Sequence, residues 1–213
     1  MTPEQWKEFD KWPAGVCIDP HPRKSFAMAW YKVDPTNRII IFEEWPATSY
    51  YETPGPQWGV GGYADKIKAI EMGDNFHEHP IESVLWRILD PNYGRSMSVS
   101  GRTLQEEFED FGLAFDCQVS DRIEPGHIAV QGMLQDPPQL LVTPNCKNII
   151  LAFERYVHAE YTKNASEINQ KETPREEYKD FMDVVRYIVM SKPRYFDLSQ
   201  KPERFIPQDM GLR

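Results

Sequence analysis

Two short apolar runs in this sequence each end in an Asp-Pro pair. Gly15-Val16-Cys17-Ile18 leads into Asp19-Pro20, and the run from Ile81 to Leu89 leads into Asp90-Pro91. Apolar runs of this length are typical of buried strands, so each aspartate is predicted at the carboxyl end of a strand, partly out of water. A buried carboxylate is costly without a partner. One interpretation is a pair of metal ligands, and the other is a pair of aspartates that cap turns before proline.

The predicted elements describe one α/β domain. The sequence predicts strands at 16–18, 26–33, 38–45, 81–89, 113–119 and 138–143, and helices at 63–72, 103–111, 126–134, 145–161 and 175–190. Short loops join the first three strands, which implies an antiparallel meander, and the later strands alternate with helices, which implies parallel pairing. The predicted fold is a mixed central sheet, with three antiparallel strands and then parallel ones, and helices on both faces.

The predicted domain limits follow from the same pattern. Residues 1–13 are predicted as a linker or a lead-in helix, residues 14–192 as the domain, and residues 193–213 as a Pro-rich C-terminal tail. Within the domain, residues 162–174 are predicted as a polar linker between the last two helices. Thr103 and Glu106 have the spacing of a capping box at the start of a helix.

The composition argues against several classes of protein for this chain. The 213 residues contain no apolar run near the roughly 20 residues of a membrane span, and we expect neither a signal peptide nor a membrane partner. The net charge of −9 argues against a general nucleic-acid coat, but not against a nuclease, because bound divalent cations reverse the local field. Cys17, Cys117 and Cys146 form no CxxC pair and are predicted to be reduced, buried thiols of a cytosolic protein.

The last predicted helix supplies a third candidate carboxylate, in addition to those at the two strand ends. Asp180 and Asp183 lie three residues apart on one helix face, and Asp183 borders the apolar stripe. The alternative is that these are acidic residues near a helix start, where the helix dipole favours them. If Asp19 and Asp90 end neighbouring strands, Asp183 can complete a site of hard oxygen ligands that suits Mg²⁺ or Mn²⁺. Two such ions about 4 Å apart are a known arrangement for phosphodiester hydrolysis.

The order of these motifs resembles that of the ribonuclease-H-like nucleases, and their local sequences resemble the nuclease domain of tailed-phage terminase large subunits. The resemblance covers most of residues 14–190. It rests on these segments, in chain order: Ile18-Asp19-Pro20-His21-Pro22-Arg23-Lys24, Ile41-Phe42-Glu43-Glu44-Trp45, Leu89-Asp90-Pro91, Thr143-Pro144-Asn145-Cys146 and Asp183-Val184-Val185-Arg186-Tyr187. The last motif usually reads Asp-Ala-Leu-Arg-Tyr in that family, so Val184 and Val185 are conservative departures. The P-loop of the terminase motor is missing, and we expect an excised nuclease domain rather than a naturally standalone relative.

The resemblance implies roles for individual residues. Asp19, Asp90 and Asp183 are the expected metal ligands and catalytic residues, with two ions of Mg²⁺ or Mn²⁺. Supporting contacts, direct or through a water, are expected from a further set: Glu44 or Glu43, Asp180 and His21. A turn histidine is an equally good interpretation of His21. Four basic residues near predicted strand ends are candidates for the DNA backbone or for ordinary solvated charge: Arg23, Lys24, Arg95 and Arg102.

The implied function is a metal-dependent endonuclease that cuts concatemeric viral DNA during packaging, in the cytoplasm of the infected host. The implied partners are double-stranded DNA, the ATPase motor, the small terminase subunit and the portal, and we expect the isolated domain to be a monomer. Two alternatives stay open: a junction resolvase or exonuclease on the same fold, and a catalytically silent binding module. The segment His77-Glu78-His79 has no matching third ligand motif, which favours a loop over a zinc site.

Overall fold

The computed structural model describes residues 3–52, 57–97, 101–156, 158–160, 170–174 and 178–198. The strands are β1 (Ala14–Asp19), β2 (Ala27–Val33), β3 (Ile39–Trp45), β4 (Val84–Leu89), β5 (Leu140–Val142), β6 (His158–Glu160) and β7 (Gln170–Pro174). The helices are α1 (Pro3–Asp10), α2 (Val60–Glu71), α3 (Pro91–Arg95), α4 (Leu104–Asp110), α5 (Ile123–Met133), α6 (Lys147–Arg155) and α7 (Lys179–Met190).

The central sheet has five strands in the order β4-β1-β2-β3-β5. The pairs β1–β2 and β2–β3 are antiparallel, and β1–β4 and β3–β5 are parallel. The predicted mixed sheet, with a three-strand antiparallel meander and added parallel strands, is therefore confirmed. Its arrangement gives β1, β3, β4 and β5 a common direction, so their carboxyl ends lie at one edge of the sheet.

Both faces of the sheet are covered by helices. One core cluster joins the sheet to α5, α6 and α7, and the other joins it to α1, α2 and α4. Strand β2 shows the division, because Ala29 and Tyr31 belong to the first cluster and Met28 and Trp30 to the second. A strand buried on both faces lacks polar alternation, in agreement with the continuous apolar run from Ala27 to Tyr31 in β2. The three cysteines are buried and free, as predicted.

Several predicted elements differ from the observed ones. Residues 113–119 alternate between buried and exposed but form only an edge contact to β4, in which Asp116 exchanges hydrogen bonds with Arg87 and Leu89. The helix predicted at 145–161 ends at Arg155, and β6 follows it. Part of the predicted 162–174 linker is β7, which pairs with β6. Helix α3, directly after Asp90, had no sequence prediction.

The predictions for the two ends of the chain and for one helix cap have the following outcomes in the structure. The lead-in segment holds α1, and the Thr103–Glu106 capping box opens α4 as expected. The predicted start of the last helix, at 175–177, and most of the predicted tail, at 199–213, lie outside the described residues. Across the described part of the chain, no helix combines the length and the apolar character needed to cross a membrane.

Candidate active site

Asp19 and Asp90 lie at the ends of two neighbouring parallel strands. Ile18 of β1 is paired with Leu89 of β4, and the Asp90 amide donates to the Ile18 carbonyl at 3.0 Å. Adjacent strands are about 4.8 Å apart, so the two carboxylates leave the sheet side by side. Both side chains are buried, with 6% of Asp19 and 5% of Asp90 exposed. The structure therefore meets the condition on which the predicted site depends, since β1 and β4 are neighbouring strands.

Helix α7 crosses this edge and adds two more carboxylates. Asp180 and Asp183 lie on the same cavity of about 390 Å³ as Asp19 and Asp90. The cavity is lined by fifteen residues: Asp19, Pro20, His21, Pro22, Arg23, Asp90, Asn92, Tyr93, Asp121, Ile123, Lys179, Asp180, Asp183, Arg186 and Tyr187. The structure therefore brings the three predicted ligands together, along with the predicted supporting residues His21 and Asp180.

The Asp90 carboxylate is held from two sides. Its Oδ1 accepts hydrogen bonds from the Asn92 and Tyr93 amides at 2.7 and 2.8 Å, which caps the short helix α3. Its Oδ2 accepts a hydrogen bond from the Tyr187 hydroxyl. The capping interpretation and the site interpretation of Asp90 are thus compatible, because one oxygen makes the cap while the other faces α7.

The Asp183 carboxylate is held by Arg186. Arg186 Nε and Nη2 donate to Asp183 Oδ1 at 3.1 and 2.7 Å, and Nη1 donates to the Asp121 carbonyl at 2.9 Å. Burial raises the pKa of Asp183, and the Arg186 charge and hydrogen bonds act in the opposite direction. The stem of Arg186 lies against Gly126 of α5, where a Cβ would come within 2.5 Å of Arg186 Cδ. That close approach requires a glycine.

Asp19 faces mostly negative charge. Burial, followed by repulsion from Asp183, Asp90 and Asp180, raises the pKa of Asp19 well above its usual range, and Lys179 acts against these effects. Carboxylates gathered in this way disfavour one another's ionisation unless a cation is present. An all-carboxylate donor set of this kind is the chemistry that Mg²⁺ and Mn²⁺ prefer.

The donor set fits a hard divalent cation, although several of its side chains are already hydrogen-bonded within the protein. Among the described residues, no group of three His, Cys, Asp or Glu side chains is arranged to hold a metal ion as it stands. In this arrangement Asp90 is hydrogen-bonded to Tyr187 and Asp183 to Arg186. Asp180 is similarly paired with Lys24, whose Nζ lies 3.0 Å from its Oδ2.

The predicted basic residues divide into two groups. Arg23 lines the cavity beside His21, whose Nδ1 accepts a hydrogen bond from the Arg23 amide at 3.0 Å. Burial lowers the pKa of His21. Arg95 and Arg102 instead bond to their own surroundings, Arg95 to the Pro91 carbonyl and Arg102 to Asp110 and the Glu106 carbonyl. The structure therefore places Arg23 and Lys24 at the site, Arg95 at the end of α3 and Arg102 in the loop before α4.

Glu43 and Glu44 have different surroundings. A register shift between β2 and β3 falls where Glu43 pairs with Trp30. Glu43 accepts a hydrogen bond from the Phe76 amide at 2.9 Å. Glu44 instead accepts from the Asn148 and Ile149 amides, at 2.7 and 3.0 Å, and so caps α6 from outside that helix. Both residues line a second cavity of about 510 Å³ rather than the carboxylate cavity.

Sequence reasoning assigned no role to several residues of the site. Arg186 and Tyr187 were quoted only as part of a motif, yet each contacts a predicted ligand. The sequence did contain an indication of their position, because both lie three or four residues from Asp183 and so share its helix face. Tyr93, Asp121 and Lys179 carried no such signal, since the fold alone brings them to the cavity.

The His77-Glu78-His79 segment is a loop. Trp6 of α1 contacts both imidazoles, stacked on His79 and edge-on to His77, and a His77 ring nitrogen lies 3.1 Å from the Phe42 carbonyl. These contacts attach α1 to the sheet, so the histidines have a structural explanation.

Comparison with solved structures finds this fold in bacteriophage large terminases. The P22 large terminase nuclease domain matches with a TM-score of 0.62 and 12% identity, over 89% of this chain and 86% of that one. The large terminase of a thermophilic bacteriophage matches with a TM-score of 0.60 and 15% identity, over 85% of this chain and 39% of that one. The nuclease domain of the SPP1 large terminase with bound Mn matches with a TM-score of 0.50 and 14% identity, over 88% and 89%.

The terminase of the thermophilic phage has also been solved with ATP-gamma-S and with ADP, and this chain spans about two fifths of its length. No family model matches the sequence, and neither does any curated protein sequence. At these identities the comparisons establish the fold. The chain has the ribonuclease-H-like fold of the nuclease domain of phage terminase large subunits, as its motifs predicted.

Proposed function

We propose that this protein is a metal-dependent endonuclease that hydrolyses phosphodiester bonds of double-stranded DNA. The observation that supports this most is the convergence of four carboxylates, from β1, β4 and α7, on one cavity at the sheet edge. The neighbouring folds are terminase nuclease domains, and one of them was solved with bound Mn. A carboxylate cavity in this fold is best explained as a site for divalent cations that act on phosphate esters.

Asp19, Asp90 and Asp183 would hold the ions, which we take to be two of Mg²⁺ or Mn²⁺. Bound there, such ions supply activation of a water and stabilisation of the leaving oxygen. The protein's own contribution is orientation: Tyr187 fixes Asp90, and Arg186 fixes Asp183. Arg23 and Lys179 line the same cavity and provide positive charge for the DNA backbone.

The proposed context is genome packaging, in the cytoplasm of an infected bacterium. There the domain would work beside an ATPase motor, the small terminase subunit and the portal, and would cut concatemeric DNA. The acidic composition, with a net charge of −9, fits a nuclease to which other parts of the machine deliver the DNA, because such a domain needs little affinity of its own.

Cleavage of a covalently closed plasmid tests the proposal. We expect nicking and linearisation with Mn²⁺ or Mg²⁺, none with a chelator, and a loss of at least about 100-fold in Asp19→Asn and Asp183→Asn. Asp65→Asn is the matched control, because Asp65 is an exposed residue of α2 outside the cavity. A closed circle has no ends, so its cleavage separates an endonuclease from an exonuclease. Equal activity in all three variants would overturn the proposal.

A further inference from the structure

The start of α7 carries Asp180 and Asp183 but has no side-chain cap of its own. Its N-cap residue, Tyr178, has a left-handed backbone with φ of 65°, and its side chain makes no capping hydrogen bond. A helix end without a local cap depends on contacts from elsewhere in the fold. The position of two cavity carboxylates therefore depends on whatever segment packs against this end of α7.

That segment is the loop that follows β3. The Tyr51 hydroxyl donates to the Tyr178 carbonyl at 3.3 Å, and the Tyr50 ring packs edge-on against Phe181 with centroids 5.2 Å apart. Tyr50 is fully buried. Two adjacent tyrosines thus contact α7 on both sides of Asp180 in the chain.

The Tyr50 hydroxyl lies next to Lys24, the residue that is paired with Asp180. It donates to the Ser25 carbonyl at 3.0 Å, and Lys24 lies 5.6 Å above its ring. Lys24 Nζ in turn donates to Asp180 Oδ2 at 3.0 Å. Tyr50 therefore reaches Asp180 through Lys24, which lies over its ring and is followed in the chain by the Ser25 carbonyl that its hydroxyl binds.

Asn148 of α6 holds this loop in place. Its Oδ1 accepts a hydrogen bond from the Tyr50 amide at 2.9 Å. Its Nδ2 lies within hydrogen-bond distance of the Pro46 and Thr48 carbonyls, at 2.9 and 3.0 Å, and of Glu44, so its two hydrogens are shared among three acceptors. Only 3% of Asn148 is exposed. A single buried amide side chain thus fixes three backbone groups of the loop.

Glu44 in turn fixes Asn148. One Glu44 oxygen accepts from both the backbone amide and the Nδ2 of Asn148, at 2.7 and 3.0 Å, and the other accepts from the Ile149 amide at 3.0 Å. Only 1% of Glu44 is exposed. A buried polar network of this kind is rigid when all its members are satisfied, and it is costly to leave partly satisfied.

We propose that Glu44, Asn148 and Tyr50 form a positioning relay that holds Asp180 and the start of α7 at the carboxylate site. The relay residues need not touch DNA or a metal ion; they act by fixing the residues that do. This inference rests on the proposed function for its catalytic consequence, but not for its structural one.

The proposed relay also distinguishes Glu44 from Glu43, which the sequence left as alternatives for a supporting role. Glu43 and Glu44 are adjacent and almost equally buried, with 3% and 1% exposed. Glu43 bonds to the Phe76 amide, in the loop after α2, and not to α6. The relay therefore assigns the supporting role to Glu44 and none to Glu43.

The experiment compares Glu44→Gln and Tyr50→Phe with Glu43→Gln and Tyr31→Phe, in the intact chain. Tyr31 is a matched control because it is fully buried and its hydroxyl has no hydrogen-bond partner among the described residues. Hydrogen exchange at the amides of residues 183–186 and Mn²⁺ affinity by calorimetry are measured without DNA, and plasmid cleavage is measured separately. We expect the two relay variants to exchange faster in α7 and to bind Mn²⁺ about 10-fold more weakly. We expect both control variants to match the wild type.

The outcomes are distinct. Equal exchange and Mn²⁺ affinity in the relay and control variants would overturn the relay, whatever happens to cleavage. Responses confined to the relay variants, in a protein that cuts no DNA, would support the relay while refuting the proposed function. If Glu44→Gln fails to fold, Tyr50→Phe still decides the matter, because it removes the hydroxyl bond to the Ser25 carbonyl, next to the Lys24 that is paired with Asp180, and keeps the ring that packs on Phe181.

Discussion

The Tyr187 hydroxyl donates a hydrogen bond to Asp90 Oδ2, and so connects the last helix to the end of β4. Because Asp90 Oδ1 is already used by the amides of α3, this hydroxyl fixes the orientation of the oxygen that is left to face the cavity. The contact joins residues 97 positions apart in the chain. It makes Tyr187 a residue that orients a proposed metal ligand.

Removing that hydroxyl should weaken metal binding. In Tyr187→Phe, the buried Asp90 oxygen loses its donor, which we expect to cost about 1–2 kcal/mol of stability and about 10-fold in Mn²⁺ affinity. Calorimetric titration with Mn²⁺ measures the affinity, and chemical denaturation measures the stability. Tyr195→Phe is the control, since Tyr195 lies outside the cavity. Unchanged Mn²⁺ affinity in Tyr187→Phe would contradict this role.

The close contact between α5 and Arg186 leads us to expect opposite effects on stability from alanine at two glycines of α5. A Cβ at Gly126 would meet Arg186 Cδ and Cγ at 2.5 Å, whereas a Cβ at Gly132 would meet nothing within 4 Å. Gly126→Ala should therefore cost about 1–3 kcal/mol and move the guanidinium away from Asp183. Gly132→Ala should stabilise the protein by about 0.5–1 kcal/mol. Denaturant unfolding of the two variants tests the contrast, and similar stability in both would refute it.

A buried lysine away from the site gives a pH prediction. Burial lowers the pKa of Lys32 to about 8, although Asp10 acts against this effect, and its ammonium donates to the Phe9 carbonyl at 2.8 Å. Between pH 8 and about 10.5 the unfolded chain holds a proton that the folded chain has released. The contribution of Lys32 to stability should therefore rise with pH over that window, by up to about 3 kcal/mol.

The test for Lys32 is the difference in unfolding free energy between the wild type and Lys32→Met, measured as the pH is raised. Buried tyrosines and cysteines with raised pKa act in the opposite direction over the same range, for example Cys146, whose pKa is raised by burial. They are common to the wild type and Lys32→Met, so they cancel in the difference. We expect the stability of the wild type relative to Lys32→Met to increase from pH 8 to about pH 10. A flat difference would show that Lys32 titrates normally.

The sequence was sufficient to predict the part of the site that is local in the chain. Asp19 and Asp90 each follow an apolar run directly, and a carboxylate at the end of a central strand lies where the strands of the sheet end. Asp183 follows from helical spacing in α7, where the apolar stripe and the carboxylate are read from the same twelve residues. These positions need no knowledge of the tertiary fold beyond the neighbouring placement of β1 and β4.

The parts that were not predicted depend on distant contacts. Asn148 bonds to residues about 100 positions earlier in the chain, and nothing near it indicates a buried amide. Residues 113–119 alternate as a strand does, yet make only an edge contact, because strand pairing is decided by a neighbour and not by the pattern alone. The polar sequence of β7 carries no strand pattern, and its pairing with β6 is likewise a tertiary effect.

The most direct test of the central claim is the position of Mn²⁺ in a crystal of this protein, located by its anomalous scattering. We expect one or two peaks within coordination distance of Asp19, with Asp90 or Asp183 as a second ligand. The second cavity, which holds Glu43, Glu44 and Asp74, is an acidic competitor within the same crystal. Mn²⁺ bound in the second cavity and absent from Asp19 at saturating concentration would refute the proposed metal site.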